Sequence, residues 1–200
     1  TSQLTLSGNN SAYAGGVTLL AGTVSGTTSA NAFGTGAITL GDTSGSANVT
    51  LNGGSAVTFA NAINVTGGNT GNATLAGSAN AIFTGAITLN THDLRLAPTA
   101  STLAIRGGIT GTGDLTFAGT GSSAVTVSIG AVNPTGSITN QGTTTGTTTI
   151  SSVIGTNVTG VTQNSTTSPL TLSGLNTFTG PTTLSAGTLS INSLANLGTA

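Results

Sequence analysis

Any acid–base or metal chemistry in this chain would have to come from very few side chains. Apart from one tyrosine, the 200 residues contain two arginines, three aspartates and one histidine as ionisable groups. A structural repeat of about twenty residues would bring Asp93 close to Asp114. Paired carboxylates can hydrolyse glycosidic bonds, so this pair is the first candidate site. The full ionisable set is Asp42, His92, Asp93, Arg95, Arg106 and Asp114.

Other features of the sequence argue against catalysis. Sites that cleave polysaccharides need several acids and bases, and this chain has almost none. His92 cannot form a metal site by itself, because such sites need three or four ligands. We therefore expect these side chains to be solvent-facing charges, with at most an Arg–Asp pair between neighbouring turns. The sequence predicts no enzyme activity and no catalytic, cofactor-binding or metal-binding residues.

The composition excludes two further classes of function. Charged residues make up 2% of the chain and the net charge is −1, whereas about a quarter of an ordinary domain is charged. A nucleic-acid-binding protein needs lysines and arginines to displace counterions from phosphates, and two arginines are too few. No run of 18 apolar residues is present, so we expect no membrane insertion of this segment. Disorder is also disfavoured, because apolar residues alternate with threonine along the chain.

A three-residue pattern, apolar-Thr-apolar, recurs along the sequence. A period of two indicates β-strands whose outer two residues face a core while the central threonine faces water. The residues expected to point inward are Leu4, Leu6, Ile38, Leu40, Val49, Leu51, Val57, Phe59, Ile87, Leu89, Leu115, Phe117, Leu170 and Leu172.

Gly- and Asn-rich turns separate these short strands, and no stretch shows a helical period. Gly and Asn accept the positive φ that sharp corners require. Short strands with frequent corners fit a sandwich, a barrel or a solenoid. The five phenylalanines are expected to fill the wider places of the core.

The end of the chain repeats its beginning. Leu170-Thr-Leu-Ser-Gly echoes Leu4-Thr-Leu-Ser-Gly at an offset of 166 residues, and the similarity continues to Ala200 and Leu40. Tyr13 and Phe178 occupy equivalent places in the two copies, and we expect both in the core. Self-similarity of this kind is typical of repeat architectures and favours the solenoid.

The copy at 170–200 also resembles a known family. Its Leu-Thr-Leu-Ser-Gly-Leu-Asn-Thr-Phe-Thr-Gly, then Thr-Thr-Leu, Gly-Thr-Leu and Ala-Asn-Leu-Gly, resemble the autotransporter-associated beta-strand repeat, also called the passenger-associated transport repeat. The copy at 4–40 is looser. The resemblance implies an all-β, right-handed parallel β-helix (β-solenoid) exported to the cell surface as part of a large bacterial protein. It brings no catalytic residues.

Taken together, these observations predict one β-solenoid segment over 1–200. Repeat copies at 4–40 and 170–200 flank a spacer of β turns, in which 134–168 is expected to be the least regular part. Neither end resembles the atypical caps of repeat proteins. We therefore expect a continuing parent protein, or copies and neighbouring repeats that stack end to end.

Two functions remain open from the sequence. The first is a non-catalytic stalk or fibre segment of a secreted or surface-displayed, autotransporter-passenger-like protein. The alternative is an adhesin-type binding module that recognises a glycan or a host or cell surface. Both place the chain outside the cell or at its surface, and neither requires a cofactor.

Overall fold

The computed structural model describes residues 2–199, and within them the chain forms nineteen strands and one 3-10 helix. The first ten strands are β1 (Gln3–Leu6), β2 (Val17–Leu19), β3 (Gly22–Gly26), β4 (Ile38–Leu40), β5 (Val49–Gly53), β6 (Thr58–Phe59), β7 (Ile63–Val65), β8 (Ala73–Gly77), β9 (Ala81–Phe83) and β10 (Ile87–Asn90). The others are β11 (Leu94–Leu96), β12 (Thr102–Ile105), β13 (Ile109–Thr112), β14 (Leu115–Phe117), β15 (Ala124–Val127), β16 (Val132–Asn140), β17 (Thr148–Ile150), β18 (Val158–Leu172) and β19 (Thr182–Ile191), and the 3-10 helix is Leu194–Leu197.

The strands stack in parallel into three faces of a coil with about nine turns. Face 1 contains β1, β3, β5, β8, β11, β14, the end of β16 and the beginnings of β18 and β19. Face 2 contains β6, β9, β12, β15, β17 and the ends of β18 and β19. Face 3 contains β2, β4, β7, β10, β13 and the beginning of β16. The predicted parallel β-solenoid with almost no helix is confirmed, while its right-handed sense stays a prediction.

On each face, inward apolar residues of one turn mostly lie above inward apolar residues of the next turn. On face 1, Val24 pairs with Leu51, which pairs with Leu75, and all three are buried. At the face 2 side, the ring centroids of Phe59 and Phe83 lie 5.2 Å apart, within stacking distance. All five phenylalanines are fully buried, as predicted. Aligned apolar ladders of this kind give the coil one continuous core.

Most of the predicted inward residues are buried. Leu4 is an exception and is 55% exposed, because β1 pairs with β3 on one side and no other turn of residues 2–199 covers its other side. Leu6 and Val57 are half-buried and pack against the core. The prediction for Tyr13 was wrong, since this side chain is 52% exposed and its hydroxyl donates to the Gly16 carbonyl at 2.6 Å. The inward residues confirmed as buried are Ile38, Leu40, Val49, Leu51, Phe59, Ile87, Leu89, Leu115, Phe117, Leu170 and Leu172.

The central threonines point away from the core. Thr39, Thr50, Thr88 and Thr116 are half-buried, while the apolar residues on either side of each are buried. An outward side chain becomes half-buried because it lies between the side chains of the turns above and below it. The alternation of inward apolar and outward threonine residues is therefore the one that the sequence predicted.

Residues 134–168 include β17 and most of β16 and β18, and β18 is the longest strand of the described residues at 15 residues. That this is the least regular part of the chain stays a prediction, and the structure here contains shifts of strand register. The pairing of β16 with β18 shifts between Gly136 and Ser137, and that of β18 with β19 shifts between Gln163 and Asn164. No helix described within residues 2–199 is long and apolar enough to cross a membrane.

Candidate functional site

Five of the six ionisable residues discussed above lie at one corner of the coil, where face 3 turns into face 1. The chain connections across this corner differ in length: 20–21 is short, 41–48 and 66–72 are long, and 91–93 and 113–114 are short again. Because two long connections are followed by two short ones, the surface steps inward between β8 and β11. Asp42 lies in connection 41–48, His92 and Asp93 lie in 91–93, Asp114 lies in 113–114, and Arg95 lies in β11.

A pocket of about 230 Å³ occupies this step. Residues 69–73 of the turn containing β8 form one side. Thr91, His92, Asp93 and Arg95 of the next turn form the other. Arg106 lies outside the pocket, exposed after β12 at the corner between faces 2 and 3. The structure therefore gathers three of the chemically active residues of the sequence into one polar notch, which we call the β8–β11 notch.

Asp93 and Asp114 are neighbours on successive turns, as the repeat length predicted. Oδ1 of Asp93 accepts a hydrogen bond from the backbone N–H of Asp114 at 2.8 Å. Oδ1 of Asp114 in turn accepts from the N–H of Ser137 at 2.6 Å. Oδ1 of Asn48 likewise accepts a hydrogen bond from the backbone N–H of Asn72 at 2.7 Å. At this corner, carboxylate and amide oxygens thus continue the hydrogen-bond ladder between turns.

His92 is oriented by the backbone of the next residue. Its Nδ1 lies 2.8 Å from the carbonyl oxygen of Asp93, and a carbonyl can only accept, so Nδ1 carries the hydrogen. In the neutral ring this leaves Nε2 as an acceptor. Among residues 2–199, no three histidine or acidic side chains are close enough to share a metal ion.

Arg95 breaks a column of threonines. On face 1 its neighbours above and below are Thr74 and Thr116. The same outward column continues through Thr50 on one side and Thr139 on the other. Within this column an arginine replaces threonine where the column passes the β8–β11 notch, and Arg95 is half-buried there.

A second polar cluster lies inside the coil, and sequence reasoning missed it. Asn140 and Gln163 are both 0% exposed and occupy the inward column of face 1 below Phe117. The side-chain amide of Asn140 donates to the carbonyl oxygen of Ser168 at 2.8 Å, and that of Gln163 donates to the same oxygen at 2.9 Å. The signal was present in Ile138-Thr-Asn140 and Val161-Thr-Gln163, where an amide replaces the second apolar residue of the strand pattern.

The two repeat copies fold in the same way at their turns. Thr35 donates its backbone N–H to the carbonyl oxygen of Tyr13, and Thr199 donates to that of Phe178, both at 2.9 Å. In each copy a glycine with positive φ precedes that threonine: Gly34 at 75° and Gly198 at 90°. The aromatic residue and the Gly-Thr pair therefore form one repeated contact between consecutive turns.

A side-chain amide adds a second repeated contact. Asn10 donates to the carbonyl of Ala32 at 2.7 Å, and Asn176 donates to that of Asn196 at 2.6 Å. Ala32, rather than Asn31, is therefore the structural equivalent of Asn196. The Ala-Asn pairs that look equivalent in the sequence are therefore one position apart in the fold.

Parts of both repeat copies match the model of a known protein family. Residues 1–25 and 170–191 match the family model of the passenger-associated-transport-repeat. The resemblance suggested by the sequence is confirmed, over the first strands of the coil and over the end of β18 and the whole of β19. The comparisons with curated proteins and with solved structures found no match.

Proposed function

We propose that this chain is a structural stalk or fibre segment of a secreted or surface-displayed bacterial repeat protein of the autotransporter-passenger type. The observation that carries the proposal is the continuity of the coil. Parallel ladders run from β1 to β19, and matches to a passenger-associated repeat lie at both ends of this stack. About nine turns spaced by about 4.8 Å give a rod roughly 40 Å long.

The use of polar groups supports a non-catalytic role. Catalytic acids and bases must be directed at a substrate, whereas Asp93 and Asp114 each hold a backbone N–H of the next turn. Inside the coil, Asn140, Gln163 and Ser168 satisfy one another. Side chains that hold successive turns together supply stiffness, which is what a rod requires.

End-to-end association with copies or neighbouring repeats is the second part of the proposal. The outermost turns present apolar side chains from core columns, Leu4 at 55% and Leu184 at 56% exposure. They also present strand edges on β1 and β19. Unpaired strand edges are templates for further pairing, so another solenoid turn is the partner that fits both the ladder and the core.

Immunoelectron microscopy of the producing cells tests the location and shape. An antibody raised against residues 2–199 should label extended projections outside the cell. Label confined to the cell interior would contradict the proposal. The non-catalytic part is tested by incubating the chain with a panel of polysaccharides, since turnover that is lost in Asp93→Asn or Asp114→Asn would overturn it.

End-to-end association is tested by sedimentation of the 200-residue chain over a range of concentrations. We expect assembly that grows with concentration and is blocked by Leu184→Lys, which places a charge in the exposed core column. Thr183→Lys, an exposed neighbour on the same strand, is the matched control and should assemble more than Leu184→Lys does. A wild-type chain that stays monomeric at every concentration argues against the end-to-end partner.

A second candidate function, an adhesin-type module that binds a glycan or a cell surface, is supported by one observation. The β8–β11 notch concentrates His92, Asp93 and Arg95 in a chain otherwise almost free of charge. A rod that only bears load has no need of such a pocket. Binding of the intact protein to glycan-coated or cell surfaces, compared with bare surfaces, tests this candidate.

A further inference from the structure

We infer that the β8–β11 notch is a binding site for a single neutral sugar residue, held by Arg95, Asp93, His92 and Asn72. The inference rests on the adhesin-type candidate function and gives it a site and a ligand class. It starts from the hydrogen-bonding capacity of the notch, which the contacts within the chain leave largely unused.

Acceptors line one part of the notch. Asp93 uses Oδ1 for the N–H of Asp114 and keeps Oδ2 for a ligand. His92 directs Nδ1 to the carbonyl of Asp93, which leaves Nε2 as an acceptor. The hydroxyl of Thr70 donates to the Gly45 carbonyl at 3.2 Å, so its oxygen can still accept.

Donors line the other part. The guanidinium of Arg95 carries five N–H groups in a planar fork, and the amide of Asn72 carries two more. Each sugar hydroxyl donates one hydrogen bond and accepts others. A pocket that offers donors and acceptors side by side therefore matches vicinal hydroxyls, which can bridge the Arg95 and Asp93 side chains.

The balance of charge selects a neutral ligand. An anion attracted by Arg95 would also face the carboxylate of Asp93, and Asp114 follows on the next turn. A cation attracted by the carboxylates would face Arg95. Either ion would therefore meet a side chain of its own sign in the same pocket, whereas a neutral polyhydroxylated ring meets both signs without a net charge of its own.

The volume of the pocket suits a single sugar ring. Its volume is about 230 Å³, below the roughly 300–1,000 Å³ of pockets that take drug-sized molecules. The lining contains no phenylalanine, tyrosine or tryptophan on which a sugar face would stack. We therefore expect weak binding of one residue, of the kind that becomes effective when a surface presents many copies of both partners.

The backbone of Thr91 gives independent support. Its φ is 59°, in the left-handed region that β-branched residues avoid. At this same corner, neighbouring connections use glycine for positive φ, at Gly41, Gly68 and Gly113. A strained residue at the rim of a pocket is a recurrent feature of functional sites, and here the Thr91 hydroxyl donates to the carbonyl oxygen of Asn90 at 2.6 Å.

The test uses His92 as a reporter, since it is the only histidine of the chain. Its imidazole C–H signals are followed by proton NMR at constant pH while methyl glycosides of glucose, galactose and mannose are added to the 200-residue protein. We expect saturable shifts with at least one glycoside and a Kd of about 1–20 mM. Glucuronic acid, sulfate and calcium chloride are the ionic probes.

Two variants with the same change of charge separate the site from general effects. Arg95→Thr continues the threonine column between Thr74 and Thr116, and it should weaken binding at least about tenfold. Arg106→Thr removes the other arginine, which lies away from the notch, and should leave the Kd within about twofold. Asp93→Asn keeps the Oδ1 acceptor for Asp114 and should also weaken binding.

Three results would overturn the inference. They are an absence of saturation by any methyl glycoside up to about 100 mM, saturation by an ionic probe alone, or equal affinity in wild type and Arg95→Thr. If these occur while the intact protein still adheres to glycan-coated surfaces, the adhesin-type function stands and its site lies elsewhere. The stalk function is independent of all of them.

Discussion

The side-chain amide of Asn140 donates a 2.8 Å hydrogen bond to Oε1 of Gln163 across two successive turns. Both side chains are fully buried in a column that earlier turns fill with Leu75, Leu96 and Phe117. The amide of Gln163 also donates to the Ser165 carbonyl at 2.9 Å. Because every donor of the pair is used, the cluster behaves as a unit within the apolar core.

We expect Asn140→Leu and Gln163→Leu to be non-additive. Each single change leaves buried partners unpaired and should lower the free energy of unfolding by about 1–3 kcal/mol. In the double variant the hydrogen bond between the two amides is lost only once and the column becomes apolar again. Its loss of stability should therefore be at least about 1 kcal/mol smaller than the sum of the losses in the two single variants. Urea denaturation of the four proteins measures this coupling.

Two outward-facing threonines on the same strands are the control for this double-mutant cycle. Thr139 and Thr162 are directly opposite each other but half-buried on the outer side. Their replacement by valine, singly and together, should give a smaller coupling energy than the buried amides, because these neighbours are half-buried rather than in the core. Equal coupling in the two cycles would show that strand pairing, rather than the buried amides, is responsible.

Ser152 is expected to respond to alanine in the opposite sense to Ser123. Within residues 2–199, Oγ of Ser152 is the buried side-chain atom without a hydrogen-bond partner. Oγ of Ser123 is also buried and donates to the carbonyls of Pro98 at 3.1 Å and Thr120 at 2.7 Å. Ser152→Ala should raise the free energy of unfolding by about 1 kcal/mol and Ser123→Ala should lower it by a similar amount. Thermal unfolding of both variants tests the signs, and a loss in both would contradict the assignment.

Leu89→Ala should destabilise the coil strongly. Leu89 is 1% exposed and lies between Val65 and Gly111 on face 3. Removing its side chain from a narrow core should lower the free energy of unfolding by about 2–5 kcal/mol. Thr88→Ser, one residue away on the outer side, should cost well under half of that. Similar losses in both would mean that inward and outward positions are not distinguished energetically.

The sequence was sufficient for the ladders and insufficient for the corners. Apolar-Thr-apolar strands such as Ile87-Thr88-Leu89 predict which side chains face the core, because a strand alternates with a strict period of two. The exposure of Leu4 was not predicted, because a strand pattern does not say how many turns cover a residue. The β8–β11 notch was likewise out of reach, since it arises from the lengths of neighbouring connections.

The charged residues illustrate the same division. The spacing of Asp93 and Asp114 by about one turn predicted that they meet, and they do. That each holds a backbone N–H depends on the corner geometry, which the repeat length does not specify. The position of Arg95 in a threonine column became visible only once strand register was known.

The last prediction concerns the contact that both repeat copies share. Gly34 has a φ of 75°, and a Cβ built on it would collide with the carbonyl oxygen of Tyr13. That carbonyl also accepts the N–H of Thr35 at 2.9 Å, so it cannot move away without breaking a bond between turns. Gly34→Ala combines an unfavourable φ with a clash against backbone and should lower the free energy of unfolding by more than about 2 kcal/mol.

Gly45 provides the matched control, because its φ is 89° and a Cβ there would meet open space. Gly45→Ala should therefore show the backbone strain alone, about 1–2 kcal/mol. Gly198 repeats the geometry of Gly34 against the carbonyl of Phe178, so Gly198→Ala should resemble Gly34→Ala more than Gly45→Ala. Equilibrium unfolding in urea ranks the three variants. If Gly34→Ala and Gly45→Ala lose the same stability, the close approach of consecutive turns is not what selects glycine in the repeat.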